Sequence, residues 1–108
     1  MAIVIIPAWQ PDEKLISLVD ALTERGLQSI VVDDGSGEQY QHIFRRIKET
    51  SLVFTHVKNR GKGAAIKTAL AFVKKELWDC QTVGIMDADG QHLPEDMIRL
   101  LEVAKKNK

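Results

Sequence analysis

Two pairs of acids at the ends of apolar runs hold most of the chemistry this sequence offers. Asp87 and Asp89 flank Ala88 directly after the run 83–86, and Gly90 opens a turn behind them. Hard divalent cations such as Mg²⁺ and Mn²⁺ favour carboxylate oxygens and are commonly shared with substrate phosphates. Side chains at i and i+2 of an extended segment share a face, and the small Ala88 lets a ligand approach the backbone. Asp33 and Asp34 close an earlier run in the same topological position. Adjacent carboxylates repel, which raises the pKa of at least one unless a cation or a donor compensates. One of them is suited to accept from the hydroxyls of a sugar or the ring N–H of a base.

A third cluster is the loop Asn59, Arg60, Gly61, Lys62, Gly63. Its glycines admit a ligand close to the backbone, and the helix that follows presents free N–H groups to an anion. Arg60 and Lys62 add positive charge. The spacing is not that of the phosphate loop of nucleotide hydrolases, and no GxGxxG follows the first strand, which argues against a dinucleotide fold. Pro7, Ala8, Trp9 and Gln10 leave the first strand at the same edge, with Trp9 suited to stack on a base or fill the core rim. His92 lies beside the acids, within reach of metal or phosphate. His42 and His56 have no partner at ligand spacing and read as surface or rim residues. Cys80 precedes a buried strand and reads as an inert thiol. No Ser-His-Asp, Cys-His or zinc spacing occurs.

The elements that must position these groups follow from periodicity. The continuous β-branched run at 3–6 predicts a strand buried on both faces, and 29–32, 52–57 and 82–86 read as three further strands. Between them, Leu15, Leu18, Val19 and Leu22 repeat at helical spacing, with Asp12 as a candidate cap and Gly26 as the stop. Tyr40, Ile43, Phe44 and Ile47 mark a second helix over 38–49, and Ile66, Ala69, Leu70, Val73 and Leu77 a third over 64–78. Pro94 opens a fourth, over 94–105, at a permitted first-turn position. Four βα units in succession predict a parallel sheet covered on both faces by helices. Ligands of such sheets bind beyond the carboxyl ends of the strands, near the switch point, which is where every unusual residue falls.

At 108 residues the chain supports one domain, 1–108, with a single core. Lys plus Arg and Asp plus Glu both number 15, so net charge predicts neither a nucleic acid partner nor an anionic membrane. One cysteine gives no disulfide framework and suits a reducing, cytoplasmic compartment. The opening residues have neither the basic leader of a signal peptide nor the length of a membrane span. The chain stops after the fourth βα unit, where an edge would be left unpaired, and so reads as truncated.

Together these segments resemble the amino-terminal, nucleotide-sugar-binding part of a family 2 glycosyltransferase of the GT-A fold, similar to the dolichyl- or polyprenyl-phosphate sugar transferases. VIIPAWQP, VVDDGS, NRGKGAAIKTAL and DADGQHLPEDM carry the likeness, in order, over essentially the whole chain. The resemblance implies an α/β three-layer sandwich with a mostly parallel, Rossmann-like sheet. It implies that Pro7, Ala8 and Trp9 line base and ribose, that Asp34 contacts the nucleobase, and that Asp33 supports the loop. Lys62 with Gly61 and Gly63 would lie near base or diphosphate. Asp87 would meet ribose or metal, with Ala88 between the two acids; Asp89 would ligate Mg²⁺ or Mn²⁺, and Gln91 would approach the donor sugar. The implied reaction is inverting sugar transfer from a UDP- or GDP-linked donor to a polyprenyl phosphate or a glycan, the parent protein working at the cytoplasmic face of a membrane. The general base of the family is expected beyond Lys108, so this piece would be inactive alone. Where family members often carry Tyr-Asn after the first proline, this chain has Trp9-Gln10-Pro11.

Three other readings are compatible with parts of the pattern. A receiver-like signalling domain also gathers acids and a lysine around Mg²⁺, although its paired acids follow the first strand. A nucleotidyltransferase would carry a glycine-rich basic loop after that strand. A non-catalytic interaction domain would bind neither metal nor nucleotide.

Overall fold

The computed structural model describes residues 2–77 and 82–88, together with Arg99. The predicted fourth helix, Trp78, Cys80, Asp89, Gln91 and His92 lie outside the described residues, Arg99 of that helix excepted. Four parallel strands, β1 (Ala2–Ala8), β2 (Gln28–Asp34), β3 (Leu52–His56) and β4 (Thr82–Ile85), form one sheet in the order β3-β2-β1-β4. Helices α1 (Lys14–Glu24), α2 (Gln41–Ile47) and α3 (Lys62–Glu76) connect them, and a 3-10 turn, Glu38–Tyr40, precedes α2. The chain adds strands outward from β1 twice, then crosses back to place β4 on the other side. Right-handed crossovers then require α1 and α2 on one face of the sheet and α3 on the other. The core divides accordingly. Val4, Ile6 and Val31 pack with Leu15, Leu18, Val19, Leu22, Ile43, Phe44 and Ile47, while Ile3, Ile5, Ile30 and Val32 pack with Ala65, Ala69 and Val73. The α/β sandwich is the architecture expected from the sequence.

Three elements differ in detail from the periodicity. β1 runs through Pro7 rather than stopping before it. Its ladder to β4 ends at Ile5↔Ile85, closed by the Met86 N–H donating to the Ile5 carbonyl at 3.0 Å. Pro7 has the same parity as Ile5, so its missing N–H faces the side that β4 has already left. β2 runs on through both Asp33 and Asp34, which pair with Ala8 and with Thr55 and His56. In α3 the buried stripe is Ala65, Ala69 and Val73, with Leu70 40% exposed instead of inward. The two alanines bring that helix close to the sheet, and Phe72 reaches over to stack on Phe54 at 5.0 Å between centroids.

α1 begins where the Asp12 carboxylate accepts the Lys14 N–H at 2.9 Å, and ends in a turn at Gly26, whose N–H donates to Thr23 at 3.0 Å. Among the described residues no helix is long and apolar enough to cross a membrane.

Candidate functional site

Beyond the carboxyl ends of β1 and β2, next to the point where the sheet order reverses between β1 and β4, lies a cavity of about 140 Å³. Pro7, Ala8 and Trp9 from the end of β1, Asp34 from the end of β2, and Asn59, Gly61 and Lys62 from the β3–α3 loop line it. Trp9 is 55% exposed, its ring at the rim rather than in the core. At the end of β4, the Asp87 carboxylate accepts a hydrogen bond from Lys62 Nζ at 2.6 Å, and both side chains are open to solvent. The sequence-predicted residues Pro7, Ala8, Trp9, Asp34, Gly61, Lys62 and Asp87 are therefore gathered at one edge. Gly63 is exposed in the first turn of α3, and Ala88 is half-buried against the α1–α2 side of the core.

The two adjacent acids of β2 do not confront each other. Alternation along the strand sends one carboxylate to each face of the sheet. Asp33 has the parity of Val31 and turns toward α2, where Oδ1 accepts the Ser36 N–H at 2.9 Å and Oδ2 accepts from Gln41 Nε2 at 3.0 Å. It is wholly buried and lies off the cavity. Asp34 turns toward α3. Its Oδ1 accepts from the Arg60 N–H at 2.9 Å and from His56 Nδ1 at 2.8 Å, and its Oδ2 accepts the Gly61 N–H at 2.8 Å. Burial by itself would push the Asp34 carboxyl up, but the two backbone N–H groups and the imidazole outweigh it and hold the pKa below the ordinary value. Donors supply the compensation that the paired acids require.

The remaining residues of the DDGS segment lock the loops together. Ser36 is buried and its Oγ accepts the Gln10 N–H at 2.8 Å, which fixes the β1–α1 loop in a turn where Gln10 has φ 49°. Gly35, at φ +73°, lies against the backbone of Lys58 and Asn59, so close that a Cβ would fall 2.2 Å from the Asn59 nitrogen. The loops after β1, β2 and β3 are thus joined at one point.

His56, read from sequence as a surface or rim residue, is 8% exposed and belongs to the site's framework. It stands beside Asp34 in the parallel register, and its Nε2 lies 2.8 Å from Thr68 Oγ1 of α3. Sequence reasoning passed over it because no second ligand stands near it in the chain. The signal that would have found it is spatial: strands 2 and 3 both end at the same sheet edge, so Asp34 and His56 become neighbours.

Asp87 offers an oxygen donor of the kind a hard cation takes, and one or two carboxylates with substrate phosphates suffice for Mg²⁺. Among the described residues no group of three or more His, Cys, Asp or Glu side chains gathers as a metal cage.

The strand order β3-β2-β1-β4 is that of the first four strands of a doubly wound sheet. A receiver-like sheet has its third strand beside the first, whereas here β3 lies at the far edge. The sequence profile of glycosyl transferase family 2 matches residues 3–108, and the chain belongs to that family. Two proteins of Methanocaldococcus jannaschii of undescribed function are similar to it. One is 32% identical over 92% of this chain and 40% of its own length, the other 28% identical over 93% and 45%. A UDP-N-acetylglucosamine–dolichyl-phosphate N-acetylglucosaminyltransferase of Methanococcus voltae is 27% identical over 91% of this chain and 45% of its own length. The chain spans less than half the length of these relatives.

Proposed function

We propose that this chain is the donor-binding part of a glycosyltransferase that moves a sugar from a UDP- or GDP-linked donor to an acceptor oxygen. A lipid phosphate of the polyprenyl type is the favoured acceptor, a reading supported by the archaeal relative whose name specifies dolichyl phosphate. The observation that carries the proposal is the cavity at the ends of β1 and β2. It joins an aromatic rim (Trp9), a buried ionised acceptor (Asp34) and a cationic side chain (Lys62) that reaches the acid at the end of β4. Those are the groups a base, a diphosphate and a cation need.

In this reading base and ribose lie on Pro7, Ala8 and Trp9, with a base N–H on Asp34. The diphosphate extends toward Lys62 and the free N–H groups at the start of α3. Asp87 and Asp89 would hold Mg²⁺ or Mn²⁺, and Gln91 would lie near the donor sugar. The cation, when bound, offsets the charge that develops on the leaving diphosphate. In the transfer the acceptor oxygen bonds to the anomeric carbon with inversion, and the bond to the diphosphate breaks with its electron pair leaving on the nucleotide. A hydroxyl acceptor needs a base to take its proton, which this family is expected to supply beyond Lys108; a phosphate acceptor needs less help. The parent enzyme would meet a lipid acceptor at the cytoplasmic face of a membrane, and the isolated 108-residue chain would bind donor without turning it over.

Calorimetric titration with UDP and GDP, with and without Mn²⁺, tests the reading on the wild type and on Asp89→Ala. Metal-strengthened binding that the substitution abolishes is the expected result. Binding of neither nucleotide would refute it.

A further inference from the structure

We infer that the outward face of α3 is a docking surface for an anionic membrane, with acidic lipid headgroups as its partner. The inference goes beyond the donor-site reading and does not rest on it.

Charge is balanced over the chain but not along it. Six of its 15 basic side chains, Lys58, Arg60, Lys62, Lys67, Lys74 and Lys75, lie within residues 58–75, and none of its 15 acidic ones does. The rest of the chain is therefore left with an excess of acid. Lys62 is engaged with Asp87. The other cations of the segment are exposed and make no ion pair among the described residues. At about 3.6 residues per turn, Lys67, Leu70, Ala71, Lys74 and Lys75 fall opposite the buried stripe of Ala65, Ala69 and Val73. The helix dipole favours cations in the last turn, which accounts for Lys74 and Lys75 taken alone. It does not account for Lys67, two turns earlier. Neither Lys67 nor Lys74 has an acid three or four residues away, the spacing at which a solvated helix face pairs its charges.

Apolar side chains stand among these cations. Leu70 is 40% exposed between Lys67 and Lys74, and Val57 is fully exposed beside Lys58 in the loop that leads to the helix. Lysines around an exposed apolar side chain suit the boundary of an acidic bilayer. The ammonium groups stay at the level of the phosphates, while the lysine stems and the leucine enter the acyl boundary. Clusters of about four to eight basic side chains are typical of such surfaces, each strengthening partitioning about fivefold. A nucleic acid would also attract the cations, but it would leave Leu70 and Val57 without a use. Nor could it stack on α3, whose aromatic ring, Phe72, is turned to Phe54. Docked on this face, α3 lies along the membrane for its 15 residues, with Lys62 of the donor cavity at its first position. The cavity edge would then be level with the headgroups, where the phosphate of a lipid acceptor lies.

The test is co-sedimentation of the chain with vesicles of phosphatidylcholine alone and of phosphatidylcholine mixed equally with phosphatidylglycerol, in the absence of nucleotide. The wild type should bind the mixed vesicles and not the neutral ones, and added salt should weaken that binding. Lys67→Gln, Lys74→Gln and Lys75→Gln in one protein should lower partitioning about a hundredfold. The same loss of charge on α1 and α2, by Lys14→Gln, Arg45→Gln and Lys48→Gln, should leave most of the binding intact. Equal losses in the two triple variants would mean attraction by net charge alone and overturn the inference. Equal binding to both vesicle types, or to neither, would overturn it as well. Duplex DNA is the remaining probe: a wild type that binds DNA and no vesicle would assign the face to a nucleic acid instead. Since no nucleotide takes part, each of these results leaves the donor-site reading to its own titration with UDP and GDP.

Discussion

Replacing Gly35 by alanine tests whether the DDGS segment is a lock between loops or an ordinary turn. The new Cβ would lie 2.2 Å from the Asn59 nitrogen and 2.3 Å from the Lys58 carbonyl carbon, both backbone atoms that no rotamer change can move aside. The β2–α2 and β3–α3 loops must part by about 1 Å before these contacts become ordinary. The loop that moves carries the Arg60 and Gly61 N–H groups off Asp34, and hydrogen bonds to a charged acceptor are worth about 1.5–3 kcal/mol each. A left-handed φ adds about 1–2 kcal/mol for any residue with a Cβ. The total, about 4–8 kcal/mol, is a large share of the roughly 5–15 kcal/mol that stabilises a small domain. Gly26→Ala is the control: Gly26 has φ +77° but nothing within 4 Å of its Cβ position, so only the backbone cost of about 1–2 kcal/mol applies. Alanine's smaller unfolded-state entropy offsets both variants equally. Urea unfolding of the two variants gives the difference directly. A Gly35→Ala protein within about 1 kcal/mol of Gly26→Ala would refute the lock.

Other consequences are separable. The Asp34 pKa is depressed in the folded state, so its contribution is complete above the ordinary value of 3.8 and is lost as pH falls through the lower folded value. Urea midpoints should hold between about pH 7 and 5 and drop below about pH 4, with a shallower drop in Asp34→Asn, and equal slopes in both proteins would contradict this. Asp87→Ala should abolish metal-strengthened nucleotide binding while cooperative thermal unfolding of the sheet is retained. A loss of both together would make Asp87 a structural residue. Trp9 stands at the cavity rim, and nucleotide binding should change its fluorescence. Persistence of the full signal change in Trp9→Phe would place the base elsewhere.

The sheet was legible because each strand is a short, mostly apolar run and each intervening stretch has helical spacing, although only the central β1 and β2 are buried on both faces. What the runs do not encode is where pairing ends. β1 continues through Pro7 only because β4 stops at Ile85, a fact about a neighbouring strand. The acids of the site stood out in the sequence because their types are costly at the end of a buried strand. Their division of labour did not, since it needs the knowledge that β2 extends to Asp34, after which alternation alone sends Asp33 to α2 and Asp34 to α3. His56 was missed for the same reason as the outward turn of Leu70: both depend on how two elements lie against each other.

The hydrogen bonds also divide the edge into a fixed part and an adjustable one. Ser36 and Asp34 hold the loops after β1, β2 and β3 through buried or half-buried bonds that involve backbone N–H groups, so the base-sized cavity exists before any ligand arrives. The other end is a long, exposed lysine side chain on Asp87, and an exposed pair of this kind contributes little stability. In the proposed donor site an incoming diphosphate would compete with Asp87 for Lys62 at small cost. Base recognition would then use a preformed surface, with the charge rearrangement at exposed side chains. The affinity of a nucleoside should accordingly be insensitive to metal, and the metal dependence of a nucleotide should grow with its phosphates. Equal metal dependence for uridine and UDP would contradict that division.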